Sequence, residues 1–214
     1  MDHLTDEREL SRRLAALPGR TLGALALEHG VLPPSGSASR SKGWTGLLLE
    51  KALGATAGSR AEPDFPALGI ELKSVPVDAL GQPLESTFVS SLDLSAVDHR
   101  WEVSPVRKKL ARVAWVAVEA EPPLFERRCT RAFLWSPSPE DEAQVRDDYE
   151  EIVDLLEEGF AVKAELGKAL QLRPKGRDAL HLRWSINEEG ERSRTPPRAF
   201  YLRRSFTRRL LSTT

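Results

Sequence analysis

The chain has a single cysteine, Cys129, among 214 residues. That excludes a disulfide framework and any structural zinc site built on cysteine thiolates. The four histidines, His3, His29, His99 and His181, lie far apart and show no ligand spacing. No apolar run approaches the roughly 18 residues that a membrane span needs. The N-terminal stretch MDHLTDEREL lacks the apolar segment of a signal peptide, so the expected compartment is cytoplasmic. There is neither an internal repeat nor a low-complexity tract. What is present is 40% hydrophobic and 29% charged residues, the balance of an ordinary soluble globule. A chain of this length buries roughly 70% of its unfolded surface without staples. It suits one large domain, or one domain in two lobes.

The formal net charge of −1 conceals strong segregation. Residues 140–158 carry ten acids against one base, Arg146, whereas residues 192–214 carry seven arginines and no acid. A further basic stretch, Arg100, Arg107, Lys108, Lys109 and Arg112, faces only Glu102 in its neighbourhood of the sequence. Charge runs are commonly solvated surface, but separation on this scale also gives a face suited to a polyanion.

Residues 6–17 read as a helix. Asp6 and Glu9 have capping-box spacing, and Leu10, Leu14 and Leu17 recur on one face. A second helix is expected from about Thr21 to His29, closed by Gly30. VLPPSGSASRSKG reads as loop, and GWTGLLLEKALG as a short apolar helix ending at Gly54. Strands follow in ALGIELKSVPV, STFVSSLDLS, RVAWVAVEA and AFLWSP. From Ser138 an acid-led helix is expected, with Val145, Tyr149, Ile152, Val153 and Leu156 on one face and Gly159 as its end. ALQLRP and RAFYLRR read as later strands, and Ser205 as the cap of a terminal helix, FTRRLL. Helices on either side of a central group of strands predict an α/β fold, a mixed sheet flanked by helices. Trp44, Trp115 and Trp135 are expected in the core.

The chemically informative pattern is Glu50 followed by Asp64-x6-Glu71-Leu72-Lys73. Residues two apart on a strand share a face, so Glu71 and Lys73 are expected to point one way, and Ile70 and Leu72 the other way into a core. Opposite charges on an apolar strand are costly unless they are paired or line a cleft. The Pro63 and Gly69 breaks let Asp64 turn back beside Glu71, and Glu50 can reach the same place from its helix end. Three crowded carboxylates repel one another, and a divalent cation relieves that repulsion. An all-oxygen set with few protein ligands suits Mg²⁺. Such an ion would polarise a phosphoryl oxygen, and Lys73 could orient water and offset transition-state charge. Lys73 could equally form a simple salt bridge to Glu71. The acid-x6-acid-x-Lys spacing recurs by chance in charged chains. Its placement on an apolar strand behind a Gly-rich loop is what distinguishes it here.

The block KGWTGLLLEKALGATAGSRAEPDFPALGIELKSVPVDALGQPLESTF (Lys42–Phe88) resembles the signature of the MutH family, the methyl-directed strand-nicking endonucleases of bacterial mismatch repair. The likeness continues in VRKKLARVAWVAVE, LWSPSPEDE, LQLRPKG and PRAFYLRRSF, and runs in the family's order from about Thr21 to Phe206. It implies a restriction-endonuclease-like fold with two lobes around a DNA cleft. The N-terminal lobe is expected over roughly 1–98 and the C-terminal lobe over roughly 99–214. The likeness also implies Mg²⁺-dependent hydrolysis 5′ to the G of GATC, on the unmethylated strand of a hemimethylated site. Asp64, Glu71 and Lys73 match the family's acid-acid-lysine set, Glu50 its helix-borne glutamate, and Lys109 a further catalytic lysine. The metal set is read as Asp64, Glu71 and Leu72.

Arg173, Pro174 and Tyr201 match positions that read GATC and sense adenine methylation. Arginine suits the O6 and N7 edge of guanine, and a tyrosine near adenine N6 could admit or exclude a methyl group. Lys42, Lys175, Arg203 and Arg204 read as phosphate-positioning residues. The resemblance implies double-stranded DNA as partner and MutL as activator, downstream of MutS. The short tail after TRRLL differs from the family's usual tail, which is tied to that activation. One catalytic set in 214 residues favours nicking by a monomer. The alternatives are a GATC-specific restriction endonuclease that cuts both strands and a non-enzymatic DNA-binding module of the same fold.

Overall fold

A computed structural model describes residues 4–34, 38–58, 60, 62–92, 99–158, 160, 162–175, 183–186, 192–195 and 197–213. In chain order the helices are α1 (Glu7–Ala15), α2 (Leu22–His29), α3 (Ala38–Leu53), α4 (Pro105–Leu110), α5 (Pro139–Glu157) and α6 (Arg204–Thr213). The strands are β1 (Glu71–Val77), β2 (Thr87–Ser91), β3 (Val113–Glu119), β4 (Cys129–Trp135), β5 (Leu170–Pro174), β6 (Arg183–Ile186), β7 (Arg192–Thr195) and β8 (Arg198–Leu202). The chain divides into two compact units. The first comprises Met1–Glu85, Arg112–Ser136 and Leu210–Thr214, and the second comprises Ser86–Ala111 and Pro137–Arg209. A single cut near residue 98 does not reproduce this division, because β3 and β4 return to the first unit.

In the first unit a three-stranded sheet has the order β1-β3-β4. β1 runs parallel to β3, with Glu71 opposite Val113 and Lys73 opposite Trp115. β4 is antiparallel to β3. A parallel pair needs a long crossover, and the chain from Asp78 to Arg112 supplies it by leaving for the second unit and returning. Leu10 and Leu14 of α1, Leu22 and Leu25 of α2 and Leu48, Leu49 and Leu53 of α3 form one apolar cluster with Phe65, Ile70, Ala114 and Val116. Each fully buried leucine in such a cluster contributes about 2 kcal/mol relative to exposure.

Local chemistry sets the helix ends. Asp6 caps α1 by accepting the Arg8 N–H at 2.9 Å. Glu9 does not complete a capping box; its carboxylate takes hydrogen bonds from Arg12 and Arg13 instead. Thr21 caps α2, and Gly30 closes it in the left-handed conformation at φ 60°. α3 begins at Ala38, inside the stretch expected to be loop, and so is longer than its apolar motif. Ser205 lies within α6 and does not cap it.

The second unit has a three-stranded sheet of order β2-β8-β5, antiparallel throughout. Ser138 caps α5 through the Asp141 N–H, and Pro139 occupies the first turn. Gly159, expected to end this helix, lies outside the described residues. Trp101, Tyr149 of α5 and Phe200 of β8 form a chain of tilted ring contacts at 5.6 and 5.4 Å. The β6–β7 hairpin and α4, which Ser104 caps, were not evident from sequence periodicity. Of the three expected core tryptophans, Trp44 and Trp115 are buried and Trp135 is half-buried. Among the described residues no helix is long and apolar enough to cross a membrane.

Candidate active site and nucleic-acid-reading face

The charged cluster of the first unit is assembled by the short connection from α3 to β1. Gly54, at φ 83°, ends α3, and the N–H groups of Gly54 and Ala55 both return to the Glu50 carbonyl at 2.9 and 2.8 Å. The N–H groups of Thr56 and Ala57 then bond the Asp64 carbonyl at 3.0 and 3.3 Å, which fastens Asp64 to the loop leaving that helix. From Phe65 the chain makes a tight reversal. Phe65 and Ile70 exchange backbone hydrogen bonds at 2.9 and 3.3 Å, and Gly69 takes φ 65°, a conformation that favours glycine. β1 begins immediately afterwards.

β1 is an edge strand. The Glu71 N–H bonds the Arg112 carbonyl at 3.0 Å, on the β3 side. The N–H and C=O of the next residue, Leu72, therefore face the open edge. Asp64 Oδ2 accepts the Leu72 N–H there at 2.7 Å. Asp64 is thus fixed at the start of the strand as the sequence spacing requires. The alternation holds, with Ile70 inside the apolar cluster and Leu72 packed against it, but the charged face is buried as well. Glu71 and Lys73 are 8% and 6% exposed and share the more buried face of β1 with Val75 and Val77, whereas Leu72 is only half-buried. The charged pair is enclosed and does not line an open surface, with Lys73 Nζ 3.5 Å from Glu71 Oε1. Trp115, opposite Lys73 on β3, is fully buried beside this face.

Glu50 completes the group. Burial first, then the charges of Asp64 and Glu71, push its carboxyl above the ordinary glutamate value. Negative charge is therefore concentrated at this edge of the sheet. Among the described residues no three His, Cys, Asp or Glu side chains are grouped tightly enough to hold a metal ion by themselves. The oxygens that could serve an ion here are those of the sequence reading, the Asp64 and Glu71 carboxylates and the Leu72 carbonyl. Two carboxylates and one carbonyl suit a hard divalent cation that keeps several waters, and the excess negative potential favours it.

The remaining sequence candidates fall into two groups. Lys42, in the first unit, is exposed and paired with Glu85. Lys109 lies half-buried on α4 of the second unit. Arg173, Pro174, Lys175, Tyr201 and Arg203 are all in the second unit, and three of them meet on one face of the β2-β8-β5 sheet. Gln171 is opposite Tyr201, and Phe88 is opposite Tyr201 on its other side, so these side chains share a face with Arg173. The opposite face carries the buried Leu170, Leu172 and Leu202. On the polar face Gln171 donates to Ser86 Oγ at 2.6 Å, and Arg173 reaches the same oxygen at 3.4 Å. Phe88 stands edge-on to Tyr201 at 5.7 Å, and Lys175 Nζ lies 5.0 Å over the Phe88 ring while donating to Ser91 at 2.9 Å. Pro174 is exposed at the end of β5.

Sequence reasoning did not single out Ser86, Phe88 or Gln171. The period-two alternation of STFVSS and LQLRP was the available signal. Arg203 is placed differently from its sequence reading. It is half-buried, and its guanidinium donates to the carbonyls of Ala164, Leu166 and Gly167 at 3.0, 3.0 and 2.7 Å. That is a packing role, not a free surface charge.

Comparison with known proteins gives the family. Residues 53–148, which contain Asp64, Glu71, Lys73 and Lys109, match the family described as DNA mismatch repair enzyme MutH. The chain is 46% identical over 211 residues to the DNA mismatch repair protein MutH of Escherichia coli O6:K15:H31 (strain 536 / UPEC), covering 96% of this chain and 92% of that one. The same values hold for the MutH proteins of Escherichia coli O139:H28 (strain E24377A / ETEC) and of Escherichia coli strain SE11. With this identity across nearly its whole length, the chain belongs to the MutH family of DNA mismatch repair enzymes.

Proposed function

We propose that the chain nicks the unmethylated strand of hemimethylated GATC sites, hydrolysing the phosphodiester 5′ to the G, with Mg²⁺ as its ion. Membership in the family makes it a DNA mismatch repair endonuclease of restriction-endonuclease-like fold. The observation that carries the residue assignment is the crowding of Glu50, Asp64 and Glu71 beside Lys73 at the open edge of β1.

In this reading Asp64, Glu71 and the Leu72 carbonyl hold the divalent ion, which when bound polarises the scissile phosphate. Lys73 supplies a buried ammonium that orients the attacking water and offsets charge on the pentavalent transition state. Its side chain is already held beside Glu71, so little reorganisation is needed as charge develops. Glu50 adds negative potential that favours the ion and repels DNA phosphate in its absence. Lys109 is the second catalytic lysine of this proposal.

Arg173 and Pro174 read GATC, with Tyr201 beside the adenine whose methylation is sensed. Arg173 presents an exposed planar fork for the guanine edge. Lys42 and Lys175 position phosphates, and Lys42 must exchange Glu85 for DNA to do so. MutL, acting after MutS, is the proposed activator, and the enzyme acts as a monomer because one chain carries one cluster.

The test is incubation with supercoiled plasmid carrying one hemimethylated GATC, with MutL, with and without Mg²⁺. Open circles nicked only on the unmethylated strand, and only with the ion, are expected. Linear product would mark a double-strand restriction activity. Tight binding without any product would mark a non-enzymatic module.

A further inference from the structure

The segment leading into β5 is gripped from two sides. Asp148, on α5, is 3% exposed, and its carboxylate accepts the N–H groups of Lys168, Ala169 and Leu170 at 2.9, 2.6 and 2.7 Å. Successive backbone N–H groups converging on one carboxylate form an anion nest, here filled from within the protein. Gln144 supports the same carboxylate at 3.2 Å. From the other side the Arg203 guanidinium takes the carbonyls of Ala164, Leu166 and Gly167, and the Arg203 N–H takes that of Ala169 at 2.7 Å. Gly167 sits between the two grips at φ 81°. A Cβ there would lie 2.0 Å from the Leu170 carbonyl oxygen and 3.2 Å from Asp148 Cγ, so no larger residue fits.

The grip falls where register is decided. Leu170 opposes Leu202, the residue before Arg203, and from that pair the ladder runs to Gln171 opposite Tyr201 and Arg173 opposite Ala199. A slip of one residue would turn Arg173 to the buried face and Leu172 to the exposed one. Hydrogen bonds at seven backbone groups of residues 164–170, two charged side chains and a glycine-only turn are more than a short surface connection needs for cohesion.

We propose that Asp148 and Arg203 are positioning residues for base reading: by clamping residues 164–170 they set the register that puts Arg173 and Tyr201 on one exposed face. Sequence and methylation choice therefore depend on two residues that do not themselves contact DNA. The inference rests on the reading of Arg173 and Tyr201 given above.

Asparagine at 148 keeps the shape but turns an NH₂ toward a backbone N–H. Lysine at 203 keeps the charge but loses the fork that spans three carbonyls. The experiment measures kcat/KM on GATC relative to a site with one base changed, and on hemimethylated relative to fully methylated GATC, for wild type, Asp148→Asn, Arg203→Lys and Arg173→Ala. Each ratio is independent of the fraction of enzyme that is folded. Both clamp variants are expected to lose about tenfold in the GATC ratio, as Arg173→Ala does, the size of one good base contact.

The slope of log binding constant against log salt supplies a second readout. It should stay unchanged in Arg203→Gln, which removes the charge; a slope lessened by about 0.9, the value of one phosphate contact, would make Arg203 a DNA contact and overturn the proposal. If Arg173→Ala lowers the ratio and both clamp variants keep it, the clamp proposal is overturned while the reading assignment stands. If Arg173→Ala also keeps it, the assignment fails and the proposal falls with it. Should Asp148→Asn not fold, Arg203→Lys decides alone.

Discussion

The β1 edge of the first unit and the β2-β8-β5 face of the second handle charge in opposite ways. At β1, Glu71 and Lys73 are enclosed, and Asp64 and Glu50 stand close enough to raise the Glu50 carboxyl. On the β2-β8-β5 sheet Arg173 and Lys175 are exposed and lean on hydroxyls and an aromatic ring without a partner carboxylate among their described contacts. A cluster that is crowded before substrate arrives stores electrostatic potential for an ion and a reaction. A solvated row of donors keeps its hydrogen-bonding capacity for a ligand that arrives later. On the proposed function, the difference would separate residues that decide rate from residues that decide where the enzyme binds.

The largest effect should come from the first region. Asp64→Asn and Glu71→Gln are expected to lower nicking by at least about 10³-fold, since several kcal/mol of charge stabilisation pass through those oxygens. DNA binding should be kept or slightly improved, because a carboxylate facing phosphate has been neutralised. Single-turnover nicking together with filter binding separates the two. Near-wild-type nicking by either variant would move the chemistry elsewhere.

The second region should respond in the reverse sense. Tyr201→Phe and Tyr201→Ala are expected to change the ratio of hemimethylated to fully methylated cleavage severalfold, with a smaller change in rate on the preferred site. An unchanged ratio would return Tyr201 to packing against Phe88. Smaller still is the effect of Lys175→Ala. It should weaken binding to GATC and scrambled DNA alike and lessen the salt slope by about 0.9, the value of one phosphate contact. Selective weakening on GATC alone would make Lys175 a base reader.

The smallest effects concern stability, and the two carboxylates compared have opposite signs. Glu50 has a raised carboxyl in the folded chain. Between the ordinary value and the raised one the folded state binds more protons than the unfolded state, so stability falls as pH rises through that window. In EDTA, Glu50→Gln should therefore gain on wild type in urea midpoint as pH rises above the ordinary glutamate value. Glu9 is lowered to about 2 by hydrogen bonds from Arg12 and Arg13. Its contribution is present above the ordinary value and lost as pH falls toward 2. Glu9→Gln should show a small constant deficit over the same range, discounted by its exposure. A Glu50→Gln difference that shrinks with rising pH would contradict the crowding.

The part of this comparison that sequence made legible is the part built from local spacing. Asp64, Glu71 and Lys73 lie within one reversal and one strand, and two-residue alternation placed the last two together. The helix starts at Asp6, Thr21 and Ser138 were readable for the same reason. What sequence misjudged depends on partners far along the chain. Glu71 and Lys73 are enclosed on a face that the buried Trp115 of β3 shares, and that strand arrives only after an excursion through the second unit. Arg203 sits in a basic run that reads as surface, yet its acceptors lie 36 to 39 residues upstream. Asp148 belongs to an acidic run of the same kind, and nothing in that run marks it as the one buried against peptide N–H groups of residues 168–170.

Soaking crystals of the chain in Mn²⁺ and mapping the anomalous signal tests the central assignment most directly. A peak within about 2.2 Å of the Asp64 and Glu71 carboxylates and the Leu72 carbonyl is the expected result. Those oxygens remaining without an ion at saturating Mn²⁺, or a peak held by other residues of the chain, would contradict it.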